Sequence, residues 1–261
     1  MKVDLRGRKD LGQIIGFAYR VYAANLRGLL LIALLTIPLP MLGAVLSDRV
    51  EDQDTETLLL LPVQLAEVVV TLIIAGALAH AVNDIANGVP VQPGASLDAA
   101  LARFRALATT QLLVVSLVVA SVVAFPYTAT RYVADMREAG QLNALTIAGT
   151  LLGMFAWFWL RWNLTLQAVM LSGGQNWSAL DESARLVRGQ WWRVLGIVLA
   201  IVIVAIIPAS FVASTAAFFP VLISAVIVSS VTALVLPFVI AAQTLLYFDL
   251  KARTESYVSP A

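Results

Sequence analysis

Apolar stretches of about twenty residues, the length of helix that crosses a hydrocarbon layer, recur along this chain. Six can be drawn, over 28–46, 58–82, 106–127, 143–171, 194–212 and 218–248. The chain is 60% hydrophobic and 13% charged, where a soluble domain carries about 25% charged residues. A soluble core of this chain length could not hide so much apolar surface, and the mean hydropathy is +0.88. The solvent this sequence matches is lipid. Backbone groups in lipid must be satisfied within their own segment, so the expected fold is all-α, a single membrane domain over 1–261 with six transmembrane helices. Pro38, Pro40, Pro126, Pro208 and Pro237 lie in or near the ends of spans, where neighbouring helices can re-satisfy the carbonyls they free.

Lys and Arg set the orientation. Lys2, Arg6, Arg8, Lys9, Arg20 and Arg27 precede span one, Arg103 and Arg105 span three, and Arg185, Arg188 and Arg193 span five; Lys251 and Arg253 follow span six. All thirteen fall on one side, against Arg49, Arg131 and Arg137 on the other, where the first loop also carries Asp48, Glu51, Asp52, Asp54 and Glu56. A multi-pass protein of the cell membrane with both termini in the cytoplasm is expected. The first apolar run begins late and no A-x-A site follows it, so no cleavable leader is expected.

A short amphipathic stretch precedes each odd span. Leu11, Ile14, Ile15, Ala18, Val21 and Tyr22 form the apolar side of the first, Leu97, Leu101 and Phe104 that of the second, and Trp177, Leu180, Ala184, Val187 and Trp191 that of the third. This spacing predicts helices lying in the cytoplasmic membrane interface. Ser96 and Ser178, Arg103 and Arg185, and Pro126 and Pro208 are each separated by 82 residues, while Arg20/Arg188 and Pro40/Pro208 are separated by 168. The even spans place His80, Gln167 and Gln243 near their inner ends. The reading is three like-oriented repeats, about 10–83, 95–172 and 176–250, around an axis along the membrane normal; inverted repeats would place the axis in the membrane plane.

Polar residues inside the spans need an explanation, since an ionised group at mid-bilayer costs at least about 2.5–3.5 kcal/mol. Helical rise puts Glu67 about 14 Å below the outer end of its span and Arg161 about 15 Å above the inner end of span four. Glu67, Arg161, Asn163, Gln167 and Gln243 are the candidate binding residues. Two alternatives stand beside that reading: a structural Glu67–Arg161 bridge, or an Arg161 that snorkels to the interface with Trp162 as anchor. Phe155, Trp157, Phe158, Trp159 and Trp162 read as lipid-facing packing and interfacial anchoring. His80 reads as an interfacial hydrogen-bonding residue.

Other chemistries are disfavoured. The chain has no cysteine and one histidine, so thiolate chemistry is excluded and an ordinary zinc site would have to be carboxylate-rich. Net charge is +1, which gives no signal for nucleic acid. Residues 171–175, Leu-Ser-Gly-Gly-Gln, spell the signature of ABC-transporter ATPases, but no P-loop accompanies it, and a turn between span four and the third lead helix is expected instead. Asn163-Leu-Thr165 and Asn176-Trp-Ser178 match glycosylation acceptors at unsuitable places, and Ser178 to Asp181 reads as a capped helix start. No catalytic residue, metal ligand or cofactor is expected, and no enzyme activity. Membrane lipids, and other membrane proteins, are the expected partners.

Three segments carry a family resemblance: 11–25 (LGQIIGFAYRVYAAN), 176–196 (NWSALDESARLVRGQWWRVLG) and 246–255 (LYFDLKARTE). Together they resemble the membrane domain at the N-terminus of some bacterial glycerophosphoryl diester phosphodiesterases, which also occurs as free-standing proteins of unassigned function. In the fused proteins the chemistry belongs to a separate soluble barrel for which this chain has no room. The resemblance implies a membrane layout and carries over no catalytic residue. The expected function is a non-catalytic scaffold or accessory component of the cell envelope. The alternative is a transporter or lipid-handling protein with a site near Glu67 and Arg161.

Overall fold

The structure, a computed structural model, describes residues 10–50, 53–138 and 144–258. Parts of the N-terminal lead, of the first outer loop and of the start of the expected fourth span lie outside the described residues. Helix is the only regular structure among the described residues. Asp10 opens α1 (Leu11–Ala24) with a capping box, its N–H donating to Gln13 Oε1 at 3.0 Å, which satisfies an otherwise orphaned donor. α2 (Leu26–Ala33) runs through a 3₁₀ turn into α3 (Pro38–Ser47), where Pro38 opens the helix, a position at which its missing N–H costs nothing. α4 (Gln53–Ala86) returns. Short α5 (Pro93–Ala102), long α6 (Phe104–Glu138), α7 (Ala144–Trp162) and α8 (Thr165–Gln167) come next. They are followed by α9 (Trp177–Val187), the pair α10 (Trp191–Ile201) and α11 (Ile207–Ala216), and long α12 (Val221–Val258).

Among the described residues, five helical stretches are long and apolar enough to cross a membrane: Leu26–Ser47, Thr57–Ala86, Phe104–Ser121, Trp191–Ala216 and Val221–Thr254. The fourth expected stretch lies partly outside the described residues. α7 stops at Trp162, the chain turns at Asn163 and Leu164, and a π-helical turn over Ala168–Ser172 follows α8. A second π turn, Val202–Ile206, joins α10 to α11 directly ahead of Pro208. The widened turn accommodates the missing donor.

The packed core lies at one end of the bundle, the end that carries the short helices. In α4 no described residue before Ile74 is buried, and in α12 burial begins at Ser229. The short helices are seated against other helices of the bundle. α5 packs on α4 and α2, and α9 packs on α7, α8 and α12. α1 packs on α12 and α10. Glycines mark the close approaches, as expected where helices cross in an apolar medium. A Cβ on Gly76 would lie 3.0 Å from Leu107 Cδ1 and 3.4 Å from both Ala100 Cβ and Met170 Sδ. One on Gly196 would lie 3.2 Å from Leu11 Cδ1.

The seating corrects the expectation of helices whose apolar sides meet lipid. Ile14, Ala18 and Val21 of α1 are buried against protein, as are Leu180, Ala184 and Val187 of α9. Leu11, Leu101 and Trp177, placed on the same apolar sides by spacing, are exposed instead. Apolar periodicity identifies a face that avoids water, and a neighbouring helix satisfies that demand as well as an acyl chain does.

Candidate functional site

The structure gathers three of the five candidate residues and separates the other two from them. Asn163 stands at the turn after α7, Gln167 in α8 and Gln243 in α12. Gln167 Nε2 donates to Gln243 Oε1, and Gln243 Nε2 donates to Asn163 Oδ1, both at 3.4 Å. Gln167 is fully buried, and its Oε1 has no hydrogen-bond partner. The three amides form a one-way chain ending in a bare acceptor. Such an orphan costs about 1–3 kcal/mol unless a donor reaches it.

Glu67 lies on a different surface. Half-buried Leu60, Val63, Glu67 and Val70 lead at helical spacing to buried Ile74, while Leu61, Gln64, Leu65 and Val68 are exposed. Glu67 therefore occupies the inward stripe of α4, at a level where the bundle is sparsely packed. Gln64 is on the exposed side, and Thr71 is half-buried. Glu67 makes no hydrogen bond or ion pair among the described residues.

Arg161 and Glu67 form no ion pair among the described residues. α7 packs on α6, α9 and α10, and α4 packs on α2, α3, α5, α6, α8 and α12, so the two helices share α6 as a neighbour and do not pack directly on one another. The Arg161 carbonyl accepts from Ser183 Oγ of α9 at 2.8 Å, so its backbone is level with that short helix. The helix breaks at Asn163, between Arg161 and Leu171, so the two are not joined by one continuous helix. The guanidinium carbon lies 5.1 Å from the Trp157 ring centroid, within cation–π reach. Phe155, Trp157 and Trp159 are exposed, and Phe158 stacks on Trp162 with centroids 5.2 Å apart. His80 Nδ1 lies 3.2 Å from Asp84 Oδ2, one helical turn away.

The strongest electrostatic feature is one the sequence reading passed over. Asp249 of α12 is fully buried. Arg193 Nε of α10 donates to its Oδ2 at 2.9 Å, and Arg253 Nε donates to both carboxylate oxygens at 3.1 Å. The available signal was the Asp249/Arg253 spacing of four, which puts both on one helix face. Nearby, Tyr247 Oη donates to Glu182 Oε1 at 2.7 Å, and the Ser172 hydroxyl donates to Glu182 Oε2. The turn over 171–175 is thereby tied to α9 and α12.

That turn is closely packed. Gly173 has φ +77, a left-handed conformation that favours glycine. A Cβ on Gly174 would lie 3.2 Å from Ala179 Cα. α9 starts one residue earlier than expected, and Ser178 bonds back to Gln175: its Oγ accepts from the N–H and its hydroxyl donates to the carbonyl, each at 2.8 Å. Arg103 Nη1 donates to the carbonyls of Val169 and Met170 at 2.7 and 2.9 Å, occupying acceptors in the π turn. Among the described residues, no three His, Asp or Glu side chains are grouped to hold a metal ion. A groove of about 240 Å³ lies between α11 and α12, lined by Ile206, Ala209, Ala213, Thr232 and Val235, away from all five candidates. No protein-family model, curated protein or solved structure matches the chain.

Proposed function

We propose that the chain is a non-catalytic integral membrane component of the cell envelope, a scaffold or accessory protein. It crosses the bilayer six times as three like-oriented units, with both termini cytoplasmic. The observation that carries this reading is the set of seated short helices. Short helices recur at α1, α5 and α9, and each is seated against other helices of the bundle. That pattern supports units related by rotations of about 120° around one axis along the membrane normal, the geometry of like-oriented repeats. The sealed end and its buried ion cluster make a rigid platform, while the opposite half leaves apolar helix faces for neighbours. The closing run around Asp249 is one of the segments that resemble the phosphodiesterase membrane domain, a likeness of layout and of no activity.

Extraction into lipid discs from native membranes, with cross-linking mass spectrometry, tests the proposal. A scaffold yields a membrane-protein partner in fixed stoichiometry. The alternative of a transporter or lipid-handling protein rests on Glu67, a carboxylate on the inward stripe of α4 with no ion pair among the described residues. If the chain purifies without a partner and supports flux or lipid exchange in vesicles that Glu67→Gln abolishes, the scaffold reading fails.

A further inference from the structure

The outer side of α9 carries charges that its packing does not use. Trp177, Asp181 and Arg185 follow at four-residue spacing, Arg188 continues the stripe past the helix end, and all four are exposed. Trp192 stands just beyond and is 78% exposed. Arg185 and Arg188 make no side-chain hydrogen bond or ion pair among the described residues. Lys251 Nζ of α12 adds a cation 5.8 Å from the Tyr247 ring centroid. The nearby anions are engaged: Glu182 by Ser172 and Tyr247, Asp249 by Arg193 and Arg253. Asp181 is the one carboxylate on the stripe.

The helix dipole accounts for Arg185 in the last turn of α9. It does not account for Arg188 beyond the helix, nor for two large indoles turned away from the protein. Indoles favour the boundary between apolar and aqueous phases, and guanidinium groups pair with phosphate in a bidentate fork. We propose that the seam between α9 and α12 binds the headgroup of an anionic phospholipid of the cytoplasmic leaflet. Arg185 and Arg188 take the phosphate, and Trp177 and Trp192 bracket the lipid at the acyl boundary. The assignment to that leaflet rests on the orientation proposed above.

The test places the protein in discs of equal parts phosphatidylcholine and phosphatidylglycerol and counts retained lipids by native mass spectrometry. Wild type retains phosphatidylglycerol over phosphatidylcholine by roughly tenfold or more, the order expected of two cations at an anionic surface. R185Q/R188Q brings the ratio near one, while R105Q, which removes an exposed cation on α6, leaves it unchanged. Millimolar inorganic phosphate does not displace the lipid. Equal retention by wild type, an unchanged ratio in the double variant, or displacement by free phosphate overturns the proposal. The thermal midpoint of R185Q/R188Q in phosphatidylcholine matches wild type; a large drop assigns the two arginines to the fold and overturns it also. The orientation fails separately, by thiol labelling of Gln175→Cys from outside intact cells, an outcome that moves the site to the other leaflet without altering the retention ratio.

Discussion

The buried carboxylate at the end of α12 gives the sharpest test of how the bundle is held. Asp249 is fully buried, whereas the side chains of Arg193 and Arg253 are 21% and 23% exposed. The three groups therefore respond unequally to neutralisation. Asp249→Asn leaves two guanidinium groups that can turn toward water and keeps one carbonyl acceptor. Its cost is about 1.5–3 kcal/mol, the worth of a hydrogen bond to a charged group. R193Q/R253Q takes two cations away from a fully buried carboxylate, and breaking a buried pair in this way costs about 3–5 kcal/mol. Adding Asp249→Asn to that double variant removes the stranded charge. Neutral replacements of buried ion clusters are often close to neutral overall, so the triple variant should regain about 2–3 kcal/mol of the loss. A substitution that destabilises wild type thus becomes stabilising in the double variant. SDS titration in mixed micelles, followed by tryptophan fluorescence, measures all four proteins. If Asp249→Asn leaves the double variant unchanged or weakens it further, Arg193 and Arg253 are not what compensates the carboxylate, and the reasoning is wrong.

Other outcomes follow from the same packing. Gly76→Leu forces a side chain between Leu107, Ala100 and Met170 and should cost about 1–3 kcal/mol by overpacking. Gly153→Leu, at a position with nothing within 4 Å of an added Cβ, should be close to silent in the same titration. Glu67→Gln and Arg161→Gln should add in a double-mutant cycle to within about 0.5 kcal/mol, because no ion pair joins them; a larger coupling restores the bridge. The chain has no cysteine, so single thiols report topology cleanly. Asp48→Cys and Ala217→Cys should react with an impermeant reagent in intact cells and Asn87→Cys should not; the reverse pattern inverts the orientation.

Much of the architecture was readable from residue order. Apolar runs located the five long stretches, and the short amphipathic segments located α1, α5 and α9, because length and periodicity are local properties. Gln167, Gln243 and Asn163 stood out because a polar side chain in an apolar run calls for a partner; that they bond to one another was not readable. What the short helices face was not readable either: Ile14 and Leu180 avoid water equally well against lipid or protein. The break at Asn163 carries neither Pro nor Gly, so the helix looked continuous. Asp249 was missed because a carboxylate beside Lys251 and Arg253 looks like the start of a solvated tail. Its burial depends on Arg193, 56 residues earlier.

The seat of α1 on α10 and α12 has a consequence for biosynthesis. A ribosome releases the N-terminal end first, at about 5–20 residues per second. The helix made first waits for the helix made last. Until α10, and then residues near Phe238, whose ring lies 6.4 Å from that of Tyr22, have left the ribosome, Ile14, Ala18 and Val21 lack most of the protein surface that covers them. The nascent chain therefore cannot finish folding segment by segment as it enters the bilayer. Its final step joins its two ends, and a chain cut short before α12 keeps an open apolar helix near its own N-terminus, a mark that quality-control proteases can read.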